Sequence, residues 1–288
     1  MTSAQIAASG QSYVGIFRAD NQDTFRISEP EDDQTRQKFG SLYAVADGMG
    51  GYQYGDIASR QAIQTFFDTY YGGKAGKSMR NLQQAVQAAN LAVYQLAQLL
   101  GGSRLGTTLS AANVVGNKLY LAHVGDSRIY LIRDRCSICL SRDHTKVGDL
   151  VAMKVLSPDK VRTHNNRSEL NRSIGTGLFV QPDVKQITLQ TNDTIILCSD
   201  GIWSVIEDVE FAELAYDLEN PHHLSQVLLD MAMKRDSDDN LSIIALHVEK
   251  TIPSAVTTEK RGILPFTHFL RQRLNRKLYA ATTNHSGE

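Results

Sequence analysis

Residues 106–133 read GTTLSAANVVGNKLYLAHVGDSRIYLIR. Three stretches within them, 106–115, 118–124 and 128–133, are rich in β-branched and apolar residues and predict strands. Gly116-Asn117 and Gly125-Asp126-Ser127 separate them, and both are turn chemistries. Parallel strands need a crossover of a dozen or more residues, so strands this closely spaced predict an antiparallel meander.

Upstream, residues 42–46 form a short apolar run ending in Asp47-Gly48, which predicts a buried strand opening into a turn. Residues 56–71 predict a helix, with Ile63, Phe66, Phe67 and Tyr70 on one face. Residues 78–100 predict a second, with Leu82, Val86, Ala89, Val93, Leu96 and Leu100 on its buried stripe, Ser78 as N-cap and Gly101-Gly102 as stop. Downstream, residues 145–175 are polar and irregular, with Ser157-Pro158-Asp159 as a helix-start signal. Strands follow at 185–190 and 194–198, around Thr191-Asn192-Asp193; helices at 209–218 and 221–233; and a final strand at 241–248. Such blocks indicate an α+β fold of antiparallel sheets covered by helices.

The chain has 288 residues, enough for one large domain or two small ones. A formal net charge of -1 gives the whole protein no electrostatic reason to bind nucleic acid. The balance is uneven: residues 250–288 carry seven Lys/Arg and two Asp/Glu. Beyond Pro265, Phe266, Phe269, Leu270, Leu274 and Leu278 would line one side of a basic helix, a pattern that suits an acidic partner or a membrane surface. Three cysteines, Cys136, Cys139 and Cys198, argue against a secreted disulfide scaffold, and no second pair completes a zinc site. The start, MTSAQIAASG, has neither a basic nor an apolar leader region, and no run of about 18 apolar residues exists to span a membrane. The expected location is the cytoplasm.

Three acidic residues share one placement. Asp47 and Asp200 follow apolar strands and Asp239 precedes one. Neighbouring antiparallel strands bring such ends together, so the carboxylates converge at one rim. Crowded carboxylates repel, and a hard divalent cation such as Mg²⁺ or Mn²⁺ relieves that cost. Asp47-Gly48 and Asp200-Gly201 also allow tight turns that would offer a backbone carbonyl. Arg18, in RADNQD, can grip two phosphate oxygens at once.

In order along the chain stand RADNQD, AVADGMGG followed by GDIAS, GTTLSA, LAHVGDSRIYLIR, SRDHT, LNRSIG, LCSDGIW and SDDNLSII. This set resembles the metal-dependent protein phosphatases of type 2C in their compact bacterial form, over about residues 10–248. The resemblance implies a four-layer α-β-β-α sandwich of two antiparallel sheets flanked by helices, formed by residues 1–250, with a flap at about 145–172 and a tail at 251–288. It implies two Mn²⁺ or Mg²⁺ ions in a cleft at one edge. Asp47 bridges them, Asp200 and Asp239 complete one, and the Gly48 carbonyl and Asp23 serve the other. Asp126 helps hold a third, weaker ion. Arg18 binds phosphate, and Asn240 orients Asp239. The implied reaction is hydrolysis of phosphoserine and phosphothreonine by a metal-activated water, against a serine/threonine kinase.

Two departures stand out. Eukaryotic members carry a histidine at the position of Met49, and several bacterial members carry one at the position of Tyr52; this chain has neither. Metal-bound water, Tyr52, His144 or His164 remain as the general acid. Two other functions compete: a metal-dependent hydrolase of small phosphoesters, expected to enclose its substrate, and a phosphoprotein-binding pseudo-phosphatase, expected to have lost its acidic ligands.

Overall fold

The computed structural model describes residues 4–49, 54–102 and 105–252. The basic tail, Tyr52 and the Gly50-Gly51 pair lie outside the described residues. The chain divides into two units, Met1–Ile252 and Pro253–Glu288.

The elements run β1 (Gln5–Tyr13), β2 (Asp23–Ser28), α1 (Asp33–Phe39), β3 (Ser41–Met49), α2 (Gly55–Tyr71), α3 (Ser78–Leu99), β4 (Gly106–Thr107), β5 (Leu109–Val115), β6 (Lys118–Val124), β7 (Arg128–Arg133) and β8 (Cys136–Cys139). They continue with α4 (Lys146–Ala152), a 3₁₀ turn at Pro158–Lys160, β9 (Asp183–Thr188), β10 (Thr194–Cys198), α5 (Asp200–Trp203), α6 (Asp208–Asp217), α7 (Pro221–Lys234) and β11 (Leu241–Lys250). One antiparallel sheet has the order β1-β11-β10-β7-β8; the other has β2-β3-β5-β6-β9, with β4 pairing β3.

Period-two alternation builds the layers. On β3, Tyr43 and Val45 face the other sheet, while Leu42, Ala44 and Ala46 face α2 and α3. On β10, Ile195 and Leu197 point between the sheets, and Ile196 and Cys198 point to α6 and α7. Strands apolar on both faces read as near-continuous hydrophobic runs, which is why β3, β10 and β11 were legible. The helix faces agree: Ile63, Phe66, Phe67 and Tyr70 are all buried. The four-layer sandwich is therefore as expected.

Several expectations need correction. Residues 106–133 do not form one meander. β5 and β6 pair as a hairpin, but Gly125-Asp126-Ser127 carries the chain into the other sheet, where β7 pairs β10. Gly125 has φ +112, a backbone only glycine takes readily. Thr108 interrupts the expected first strand, splitting it into β4 and β5. Asp47 does not follow β3 but lies within it: the strand runs on to Met49 because Gly48 and Met49 pair with β4. Ser78 opens α3 as its first residue, and the cap position falls on Lys77 without a side-chain bond. The segment 145–175 is not wholly irregular, since Thr145 caps α4 by accepting from the Gly148 N–H.

Candidate metal centre

The cleft lies at one end of the sandwich, where both sheets release their strands. It encloses about 370 Å³ and is lined by Arg18, Asp47, Gly48, Asp126, Asp200 and Asp239 among others. Asp47 comes from one sheet, Asp200 and Asp239 from the other, and Asp126 from the turn that joins them. Asp23 sits beneath, opposite Asp47 in the β2–β3 register.

The backbones of Asp47 and Asp126 and the carboxylate of Asp23 are held in place. The Asp47 N–H donates to Thr108 Oγ1 at 2.9 Å, and its carbonyl accepts from Thr107 Oγ1 and the Thr108 N–H, each at 2.9 Å. Thr108 Oγ1 also meets Ser127 Oγ at 2.7 Å, tying β3 to the Asp126 turn. From the other side, Trp203 Nε1 donates to the Asp126 carbonyl at 2.9 Å. Ser199 Oγ donates to Asp23 Oδ2 at 2.8 Å. Gly48 must be glycine: a Cβ there would stand 2.1 Å from the Gly55 carbonyl oxygen. At Gly201 a Cβ would meet the Asn240 carbonyl at the same distance. These glycines therefore serve close approach, not the turns expected of Asp-Gly pairs.

The electrostatics are severe. Asp23 and Asp126 are buried, whereas Asp47 and Asp200 keep some surface toward the cleft and are surrounded by protein elsewhere. This depth, then mutual repulsion, pushes Asp47 and Asp126 well above the ordinary carboxylate range. Burial likewise lifts Asp23 to about 7 and Asp200 to about 6.

Do these residues fit divalent cations? The donors are all oxygen, which suits Mg²⁺ or Mn²⁺. Among the described residues, Asp23 Oδ1 and Asp200 Oδ1 are buried side-chain oxygens with no hydrogen-bond partner. Buried oxygens are rarely left so, and a cation accounts for both. The set fits but is not drawn tight: among the described residues, no three acidic, histidine or cysteine side chains stand together as a ready cage. Asp239 is engaged elsewhere, its Oδ2 taken by Arg18 Nη2 at 2.7 Å and its Oδ1 by the Asn240 N–H at 2.8 Å.

Two expected roles change on inspection. The Asn240 side chain does not orient Asp239; it holds the loop 14–22 through the Val14 and Asp20 carbonyls and the Gln22 N–H. His144 is buried, accepts from the Gly125 N–H at 3.1 Å, and is driven by burial down to about 4, so it braces the Asp126 turn. His164 accepts from the Asn166 N–H, and neither histidine lines the cleft. The positioning residues Thr108, Ser199 and Trp203 escaped sequence reasoning. They sit inside GTTLSA and LCSDGIW, where the only signal was their place in those motifs.

Known proteins resemble this chain in sequence and in fold. The chain is 29% identical over 244 residues to a serine/threonine phosphatase, stp, of Listeria monocytogenes, covering 82% of this chain and 94% of that protein. The crystal structure of the serine/threonine phosphatase Stp1 from Staphylococcus aureus superposes with a TM-score of 0.79 at 25% identity, covering 86% of this chain and 97% of that one. The catalytic domain of a phosphatase PstP, solved with two manganese ions, gives 0.72 at 28% identity, over 84% and 97%. The description protein phosphatase 2C matches residues 10–148 and 166–241. With that much of the sequence matched and the two-sheet sandwich in common, the chain belongs to the protein phosphatase 2C family.

Proposed function

We propose that this chain, a protein phosphatase of the 2C type, hydrolyses phosphoserine and phosphothreonine in proteins with two Mn²⁺ or Mg²⁺ ions and opposes a serine/threonine kinase. One observation carries the reading: Asp47, Asp126 and Asp200 in the cleft and Asp23 beneath it have no ion pair among the described residues, and two of the four keep an unbonded buried oxygen. Asp47, Asp200, Asp239, Asp23 and the Gly48 carbonyl would hold the pair, and Asp126 a third ion. When bound, the ions supply the Lewis acidity that makes water a nucleophile near neutral pH.

The chain's own groups do the rest. Thr107 and Thr108 fix the Asp47 backbone, so its carboxylate stays aimed into the cleft. Arg18, at the cleft wall, offers paired N–H donors that match phosphate oxygens and neutralise charge as it develops. Ser168 and Leu170 bring the segment 145–172 to the cleft, where a flap can read residues beside the phosphate. Its ends are clasped, with Lys146 N–H on the Glu169 carbonyl and Asn171 N–H on that of His144. Intact carboxylates disfavour the pseudo-phosphatase. The catalytic unit closes at Ile252, whose N–H and carbonyl both bond the Asn117 side chain. The tail beyond serves an acidic partner or membrane surface, so removing 253–288 leaves aryl-phosphate turnover intact.

The test is turnover of an aryl phosphate and of phosphoserine and phosphothreonine peptides by the full chain. Activity should require Mn²⁺ or Mg²⁺ and vanish in chelator. Turnover that survives metal removal would refute the proposal.

A further inference from the structure

Asp239 differs from the other cleft carboxylates in being occupied. Arg18 Nη2 holds its Oδ2 at 2.7 Å, and Arg18 Nε donates to the neighbouring Asp238 carbonyl at 2.9 Å. This is no stray surface contact. The loop carrying Arg18 is tied to the residue after Asp239: Asn240 Nδ2 donates to Val14 O at 2.7 Å and to Asp20 O at 3.0 Å, and Asn240 Oδ1 accepts from the Gln22 N–H at 2.8 Å. Gly15, at φ +83, lies so close to the Asp239 carbonyl that a Cβ would stand 2.4 Å from its oxygen. The fold thus delivers Arg18 to Asp239 on a loop pinned at both ends.

We propose that Arg18 is a latch on Asp239: its guanidinium occupies the carboxylate oxygen that would complete the metal centre, and phosphate opens the centre by drawing that guanidinium away. The inference rests on the metal-dependent reading above and adds a linkage to it. A guanidinium and a divalent cation compete for one carboxylate and also repel each other. The fork made by Nε and Nη2 is spent on Asp238 and Asp239, so a phosphate taking that fork must displace both contacts. The latch is weak enough to open. The two side chains are 49% and 30% exposed, a range in which ion pairs contribute little. Mn²⁺ and phosphate therefore bind with mutual assistance through Arg18, and an empty cleft keeps its last ligand engaged.

The test reads metal binding, not turnover. Mn²⁺ is titrated into chelator-treated full-length protein and followed by electron paramagnetic resonance and calorimetry. Arg18→Ala should bind Mn²⁺ about two- to fivefold more tightly than wild type, the range an exposed ion pair allows. Combined with Asp239→Asn, the same substitution should give no gain, because the competed oxygen is lost. Inorganic phosphate should strengthen Mn²⁺ binding more in wild type than in Arg18→Ala. No gain in Arg18→Ala overturns the latch. A gain that persists with Asp239→Asn also overturns it, since that is long-range charge alone. Wild-type protein that binds no Mn²⁺ sinks the metal-centre reading itself, and the latch with it.

Discussion

Buried and half-buried carboxylates occur in this protein in two kinds. Asp143 and Asp193, 8% and 1% exposed, are each met by an arginine fork. Arg128 reaches Asp143 at 2.9 and 2.6 Å and stacks over Trp203, and Arg133 reaches Asp193 at 2.7 and 2.6 Å. Asp23, Asp47, Asp126 and Asp200 have no such partner among the described residues. A chain that twice neutralises a buried acid with arginine leaves four others without one. The first kind is complete within the protein, while the second requires a charge from outside.

The contrast can be broken by experiment. The largest effect belongs to the satisfied pair. Asp143→Ala strands a buried guanidinium and should cost about 3–5 kcal/mol in a denaturant titration. A loss below about 1 kcal/mol would mean Arg128 finds water instead. Asp47→Asn should do the reverse, raising the melting temperature of the metal-free protein by relieving repulsion. It should also lower Mn²⁺-dependent aryl-phosphate turnover by about 10²–10³-fold, as loss of a directly acting charge does. Destabilisation of the metal-free variant would place Asp47 with the satisfied acids. Ser199→Ala removes the donor to Asp23 Oδ2 and should weaken Mn²⁺ binding by about tenfold, readable by calorimetry.

The smallest effect is on pH dependence. Asp23, lifted to about 7, and Asp200, lifted to about 6, hold protons that the unfolded chain has already released. Between about pH 4 and 7 the folded state binds more protons than the unfolded one, so its stability falls as pH rises through that window. The metal-free protein should melt a few degrees lower at about pH 8 than at about pH 5, and Mn²⁺ should raise the melting temperature more at the higher pH. Melting temperatures that rise with pH would show these acids ionised and satisfied without metal.

Much of the fold was readable because its central strands and two longest helices carry periodic apolar residues. β10 falls on 194–198 and β6 on 118–124, as the pattern predicts. β1, with Gln5, Ser9 and Gln11, and β2, with Asp23, Thr24 and Arg26, gave no such signal because they are only partly buried. α1 buries nothing and was equally silent.

The sequence alone determined that Asp200 and Asp239 flank apolar strands and that Asp47 lies beside one, because those facts depend on spacing. Only the tertiary structure decided how each acid is treated. Asp143 and Arg128 are fifteen residues apart, Arg128 at the start of β7 and Asp143 in the segment after β8, while Arg18 reaches Asp239 across 221 residues of chain. Pairing depends on which side chains the sheets and loops bring within hydrogen-bond reach, and that distance is set by packing of the whole sandwich.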